Sequence, residues 1–120
     1  MIDLSRLVGK GRVRLLAKAE FLNPGGSVKD RPAKYIVLDG LRRGELGTGK
    51  RLLDATSGNM GIGYSLVCAA LGIPLTLVVP GNVSPVKMDL MRYLGAELVV
   101  TDPLEGIDGA ILKARELHQE

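Results

Sequence analysis

The spacing of apolar residues changes along the chain, and this change predicts strands that alternate with helices. Short apolar runs are typical of strands buried in a sheet, whereas apolar residues that recur every three or four positions are typical of helices. The alternation indicates an α/β fold with a three-layer parallel sheet and the connectivity βαβαβα. The predicted strands are Val13 to Ala17, Leu52 to Ala55, Leu75 to Val79 and Glu97 to Thr101.

Helices are predicted from residue 29 onward, over residues 59–71, over residues 85–94 and near the carboxyl end of the chain. A glycine follows each of the first three, and Ser84 with Pro85 suits the start of the third. The second is apolar nearly all round, as expected of a helix packed tightly on a sheet. The predicted apolar faces are Ala33, Ile36, Val37 and Leu41 in the first helix and Ile107, Ala110, Ile111, Ala114 and Leu117 in the last.

Length, composition and charge narrow the functional class. The 120 residues suit one ordinary domain, yet the unit from Leu52 onward stops where a larger doubly wound protein would continue, so we expect one lobe of something larger. A net charge of +3 with scattered basic residues and four aromatic residues gives no indication of nucleic-acid binding. The single cysteine, Cys68, excludes an internal disulfide and favours a reducing compartment, the cytoplasm. No membrane span and no metal site are expected.

The segment Asn23-Pro-Gly-Gly-Ser-Val-Lys-Asp-Arg31 is the first candidate for chemistry. It begins with strong turn residues and then leads into a predicted helix. Lys29 therefore lies near the positive end of the helix dipole, which favours the neutral, nucleophilic amine that a Schiff base requires. The alternative interpretation is a plain loop with a solvated lysine, as most lysines are.

The segment Thr56-Ser-Gly-Asn-Met-Gly61 is the second candidate. It joins a predicted strand directly to an apolar helix, so its small residues would expose backbone N–H groups at a helix start. Such a start binds anions, with the hydroxyls of Thr56 and Ser57 as further donors. The alternative is an ordinary turn between strand and helix with a side-chain cap.

Two other features could be mistaken for functional sites, but their sequence context does not support such a role. The run Gly44-Glu-Leu-Gly-Thr-Gly-Lys50 has the spacing of a phosphate-binding P-loop, but Arg51 stands where Ser or Thr would hold magnesium. A strand follows where a helix is needed, so a turn is predicted there. His118 lies in the last turn of a predicted helix, where a cation suits the dipole, and no catalytic role is expected.

Taken together, the segments resemble the cysteine synthase and cystathionine beta-synthase family of fold-type II pyridoxal-phosphate enzymes, in the tryptophan synthase beta superfamily. The run Leu16 to Arg31 is similar to the family's cofactor-lysine segment. The run Thr56-Ser-Gly-Asn59, followed by Gly61, is similar to its loop for the substrate carboxylate. A third similarity covers Val79 to Val99. The resemblance spans almost the whole chain and implies the small amino-terminal lobe of such an enzyme.

The resemblance also implies roles for individual residues. Lys29 would be the catalytic lysine that carries pyridoxal 5'-phosphate and moves the substrate's α-proton, and Asn59 would bind the ring hydroxyl of the cofactor. The implied reaction is β-replacement on an activated serine, O-acetyl- or O-phosphoserine, with sulfide as the nucleophile and cysteine as the product. The residues implied to bind the substrate are Thr56, Ser57, Gly58, Asn59 and Met60.

The same resemblance predicts how the chain is divided. Residues 1–22 would be an amino-terminal crossover strand segment and residues 23–120 the small lobe with the lysine and the substrate loop. The family's first strand, before Ser5, is expected to be missing, as is the large carboxyl-terminal domain that cradles the cofactor phosphate. The implied partners are a small amino-acid substrate and either a second copy in a homodimer or the missing carboxyl-terminal half.

Departures from the family pattern keep other functions open. Met60 stands where cysteine synthases usually carry Thr, and with Ser84 and Pro85 it is reminiscent of relatives that add an amine to make diaminopropionate-type amino acids. The third possibility is a fragment or interaction module that binds no cofactor and catalyses no reaction.

Overall fold

The chain begins with a small antiparallel ribbon in the computed structural model, which describes residues 1–9 and 13–119. Strand β1 (Ile2–Asp3) pairs with β2 (Leu16–Ala17). Two expectations were therefore wrong: a strand does precede Ser5, and the strand predicted from Val13 is limited to its last two residues. The physical reason lies at Leu15. Its carbonyl still accepts the amide of Leu4 at 2.8 Å, but its own N–H donates to Ser5 Oγ at 3.1 Å, so the reciprocal backbone bond of the ladder is not made.

Helices and parallel strands then alternate as predicted. Helix α1 is Asp30–Arg42, followed by β3 (Leu52–Ala55), α2 (Asn59–Leu71), β4 (Leu75–Pro80), α3 (Pro85–Tyr93), β5 (Glu97–Thr101) and α4 (Gly106–Gln119). The bounds of β3, α2 and β5 are those expected from the sequence. Strand β4 is one residue longer than predicted and α3 one residue shorter. The run from Gly44 to Lys50 forms turns, as expected.

The parallel sheet has the order β3-β4-β5, and helices cover both of its faces. The two connections between parallel strands, β3-α2-β4 and β4-α3-β5, both step toward the β5 edge of the sheet. Right-handed connections therefore place α2 and α3 on one face of the sheet, and α4 packs on the other. Strand β4 lies in the centre and is buried along its whole length. Leu77 and Val79 face the core under α2, whereas Val78 points to the α4 side. The predicted three-layer α/β architecture is confirmed.

Helix α1 forms an outer layer on α2 rather than packing on the sheet. Its buried residues, Ala33, Val37 and Gly40, follow one narrow stripe. Ile36, predicted to lie on the buried face, is 47% exposed, because contact with a single helix covers only this stripe. The apolar face of α4 is likewise covered only in part, since a sheet of three short strands is narrower than the face: Ala110 is fully buried, but Ile111 is 37% exposed.

The core contains one thiol and one phenol with altered acidity. Cys68 of α2 is a free, buried cysteine, as its apolar surroundings predicted, and burial raises the pKa of its thiol to about 11. Burial, and next the charge of Asp54, raise the pKa of Tyr64 above its ordinary value. In the described part of the chain, no helix is long and apolar enough to cross a membrane.

Candidate active site

The segment that contains Lys29 is a loop closed by its own side chains. The Asn23 amide Nδ2 donates to Glu20 Oε2 at 2.6 Å and to the carbonyl of Ser27 at 2.9 Å. The Gly26 amide donates to the carbonyl of Asn23 at 2.8 Å, and its φ of +75° is one that glycine adopts without strain. Asn23 thus holds both ends of the turn in front of α1.

Two carboxylates fasten this loop to the first turn of α1. Asp30 Oδ2 accepts the amide of Gly25 at 2.5 Å, and a side chain at Gly25 would collide with the Asp30 carboxylate. Arg31 Nε donates to Glu20 Oε2 at 2.9 Å. The hydrogen bond from Arg31, followed by that from Asn23, lowers the pKa of Glu20 below its usual value. The loop is therefore fixed on both sides of Lys29.

Lys29 itself lies at the junction of loop and helix, as predicted. Its amide donates to Ser27 Oγ at 3.2 Å, and its carbonyl accepts the amide of Ala33 at 3.1 Å. Its side chain is exposed, and no carboxylate among residues 1–9 and 13–119 forms an ion pair with it. The amine is thus accessible to a small molecule.

Gly63 of α2 brings the lysine segment against the second candidate segment. A Cβ placed on Gly63 would lie 3.0 Å from the carbonyl oxygen of Lys29 and 2.9 Å from the Cβ of Ala33. Only a residue without a side chain allows the backbone of Lys29 to approach this closely. Asn59 lies four residues before Gly63, and residues four apart share one face of a helix, about 6 Å apart along its axis. Lys29 and Asn59 are therefore brought to the same side of α2.

Thr56 shapes the loop between β3 and α2 from within. Its amide continues the sheet by donating to the carbonyl of Val78 at 2.9 Å. Its buried Oγ1 accepts the amides of Gly58 at 3.2 Å and Gly61 at 3.1 Å. Gly58 has φ +147° and ψ −92°, angles at which other residues are strained. Thr56 thus holds the loop in shape, and its predicted contact with a substrate stays a prediction.

Three backbone amides of this loop point to an anion site. In the described part of the chain, three backbone N–H groups donate no hydrogen bond, those of Ser57, Asn59 and Met60. They lie at the start of α2, where unpaired N–H groups and the helix dipole favour a negative charge. The side chains of Ser57 and Asn59 are exposed, whereas Met60 is half-buried and packs against the core. The geometry suits the predicted carboxylate site, with Met60 at its inner side.

Lys87 is a nearby charged residue that the sequence analysis did not single out. It lies in the first turn of α3, and a Cβ on Gly58 would lie 3.1 Å from its Nζ. A single lysine in an amphipathic helix carries no local signal, and its contact with Gly58 exists only in the folded chain. No group of three or more potential ligands for a metal occurs among the residues described.

The profile of the pyridoxal-phosphate dependent enzyme family matches residues 1–120. The chain belongs to this family. It is similar to a cysteine synthase of Aquifex aeolicus, with 55% identity over 108 residues that make up 90% of this chain and 33% of that protein.

Solved structures of this family share the fold. An O-acetylserine dependent cystathionine beta-synthase from Helicobacter pylori matches with a TM-score of 0.82 and 42% identity, over 86% of this chain and 34% of that one. A cysteine synthase from Entamoeba histolytica matches with a TM-score of 0.85 and 34% identity, over 88% of this chain and 31% of that one. The α/β arrangement is that of fold-type II, and the chain corresponds to the amino-terminal part, about a third of the length of these relatives.

Proposed function

We propose that this chain is the amino-terminal lobe of an enzyme that replaces the β-substituent of an activated serine, with pyridoxal phosphate as cofactor. The reaction would convert O-acetyl- or O-phosphoserine and sulfide to cysteine. One observation carries the proposal: the backbone of Lys29 packs on Gly63, one helical turn from Asn59 and from the unpaired amides that begin α2. This contact brings the segment that carries the Lys29 amine close to the predicted carboxylate site, which supports the proposal.

The residues present fit one end of the cofactor. An exposed lysine amine without a paired carboxylate suits the aldehyde of pyridoxal phosphate, and the amide of Asn59 suits its ring hydroxyl. When bound, the cofactor withdraws electrons from the α-carbon of an attached amino acid. The helix-end site at residues 57–60 is assigned to the substrate carboxylate, so the cofactor phosphate would be held by other residues of the larger protein.

The chain's own residues would perform three tasks in this reaction. The amides of Ser57, Asn59 and Met60 would bind the substrate carboxylate, while Thr56 keeps the loop in shape. Lys29 Nζ would take the α-proton and later return a proton to the same carbon. Because general-base catalysis depends on fixed geometry, the bonds that anchor the loop on both sides of Lys29 hold the base in place.

Met60 supports an alternative nucleophile. Its thioether lies half-buried at the inner side of the predicted carboxylate site, where cysteine synthases usually offer the hydroxyl of Thr. An apolar contact there would favour an amine over sulfide in a diaminopropionate-type synthase. A module without cofactor is the third hypothesis, and it predicts that no lysine is labelled when the protein is incubated with pyridoxal phosphate and reduced.

The assembly follows from the exposed apolar surface. Leu7 is 77% exposed and Leu22 76%, both within residues 1–22, and Leu104 is 94% exposed. A groove of about 600 Å³ between α1 and α2 is also largely apolar, with Tyr35 and Leu66 among its lining residues. We infer that a carboxyl-terminal domain or a second copy of the chain covers these surfaces. Residues 23–120 would form the small lobe of the enzyme. The enzyme itself would be cytoplasmic.

The experiment is a turnover assay with the protein that carries this chain, loaded with pyridoxal phosphate. O-acetylserine or O-phosphoserine is supplied with sulfide or with an amine, and the amino-acid products are measured by mass spectrometry. Cysteine as the main product supports the proposal, and a diaminopropionate-type product supports the alternative. Absence of any β-replacement product with all four combinations would refute both.

A further inference from the structure

Lys87 lies across the loop that begins α2. Its amide donates to the carbonyl of Ser84 at 3.0 Å, which places it in the first turn of α3. The side chain is half-buried and runs over Gly58, where a Cβ would meet its Nζ at 3.1 Å and its Cδ at 3.2 Å. The ammonium group is therefore held close to the backbone of the predicted carboxylate loop.

This position is unfavourable for an isolated cation. The amino ends of α2 and α3 both carry the positive end of a helix dipole, so each of them repels a lysine ammonium. In the part of the chain that the structure describes, no carboxylate forms an ion pair with Lys87, and the nearby Asp89 pairs with Arg92 at 3.1 Å. A half-buried ammonium next to positive dipoles and unpaired amides is stabilised when an anion binds among them.

We propose that Lys87 makes the loop selective for a carboxylate, as a charge partner for the anion that the amides of Ser57, Asn59 and Met60 bind. The inference rests on the proposed function for the identity of the ligand, the carboxylate of an α-amino acid. Lys87 lies in a third segment of the chain, whereas the sequence predicted a site built from two segments.

A purely structural role for Lys87 makes a different prediction. If the side chain only supports the backbone of Gly58, its aliphatic stem suffices, and Lys87→Met preserves the function of the loop. If the charge matters, Lys87→Met weakens carboxylate binding and Lys87→Arg preserves it. Lys50→Met is the matched control, because it removes the same charge before the amino end of β3, the opposite end of this strand from the loop, where Lys50 Nζ donates to the carbonyl of Gly44.

The first measurement needs neither cofactor nor turnover. Acetate is titrated into the protein, and the backbone amide resonances of residues 57, 59 and 60 report the dissociation constant. We expect Lys87→Met to raise this constant by roughly tenfold, since solvent screens much of the interaction between two charges at a half-exposed site. The dissociation constants for acetate in Lys87→Arg and Lys50→Met should stay close to that of the unchanged protein. Equal constants for Lys87→Met and Lys50→Met would overturn the inference.

The second measurement uses the loaded enzyme and separates this inference from the proposed function. Lys87→Met should raise the KM for O-acetyl-L-serine by roughly tenfold with little change in kcat. The methyl ester of this substrate lacks the carboxylate charge, so its KM should not change. An equal rise for acid and ester would overturn the charge role. If no substrate turns over but acetate binding still depends on Lys87, the proposed function fails and the charge role stands. Lys87→Gln repeats the test if Lys87→Met loses its folded circular dichroism spectrum.

Discussion

Met60 stands where the loop predicted to bind the substrate carboxylate passes into α2, and its side chain packs against the core. If its exposed part also faces the substrate, Met60→Thr should change the preference between sulfide and an amine by about 1 to 3 kcal/mol, the range for one pocket contact. The ratio of the two specificity constants measures this. Met88→Thr is the matched control, because Met88 is also half-buried against the same core. An unchanged ratio in Met60→Thr would assign Met60 to the core alone.

Cys68 makes the stability of the fold sensitive to alkaline pH. Burial raises the pKa of its thiol from an ordinary value near 9 to about 11, so between these values the unfolded chain loses a proton that the folded chain keeps. The free energy of unfolding should therefore fall as pH rises through this window, by at most about 1.4 kcal/mol per pH unit for this group. Urea denaturation at pH 8, 9, 10 and 11 measures the slope.

Tyr64 acts in the same direction at still higher pH, since burial also raises its pKa. Cys68→Ala removes the thiol and should flatten the slope between pH 9 and 10, although the smaller side chain lowers stability at every pH. A slope in this variant equal to that of the unchanged protein would assign the alkaline sensitivity to other groups.

At the scale of elements, the contact between α1 and α2 depends on Gly63. A methyl group there would press on the carbonyl of Lys29 and the Cβ of Ala33, neither of which can rotate away. Gly63→Ala should therefore destabilise the fold by about 1 to 3 kcal/mol, despite the higher helix propensity of alanine. It should also lower the affinity for pyridoxal phosphate, because it displaces Lys29.

Gly40→Ala is the control for Gly63→Ala. Gly40 likewise lies inside a helix, in this case α1, but a new methyl group there would meet the end of the Leu46 side chain at 3.0 Å, and that side chain can move. Stability and cofactor affinity are measured for both variants by denaturation and by absorption titration. Equal losses in the two would show that the backbone of Lys29 does not depend on its approach to α2.

Local sequence patterns predicted the elements of the main sheet well but not the amino-terminal ribbon. Strand β3 is a short, mostly apolar run, and helix α2 is apolar nearly all round with Gly72 directly after its end, so their bounds could be read from the sequence. The ends of the ribbon depend on the bond between Ser5 and Leu15, which lie ten residues apart. Ile36 was misplaced because its exposure depends on which element packs against α1.

The candidate site shows the same limit. Turn residues and the family resemblance identified Lys29 and the loop from Thr56 to Met60, and the structure places both segments beside α2. The two segments come together because Gly63 has no side chain. Lys87 lies close to the loop because of its position on α3. Neither contact has a signal in the linear sequence, because each joins residues that are far apart along it.

At the scale of the whole molecule, this chain alone should bind pyridoxal phosphate weakly and catalyse no turnover. The helix-end site at residues 57–60 is proposed for the substrate carboxylate and would not be free for the cofactor phosphate, and a ring held by Lys29 and Asn59 alone would be mobile. Cofactor affinity and product formation are measured for the 120 residues, then with a carboxyl-terminal domain from a relative supplied. Tight binding and turnover by the short chain would contradict this expectation.

We expect Lys29 to carry the cofactor, and labelling by reduction identifies the lysine that does. The protein that contains this chain is incubated with pyridoxal phosphate, reduced with borohydride, digested and mapped by mass spectrometry. We predict that the pyridoxyl label is found on Lys29 and that Lys29→Ala loses it. A label on another lysine, an unchanged label in Lys29→Ala, or no label at all would contradict the assignment.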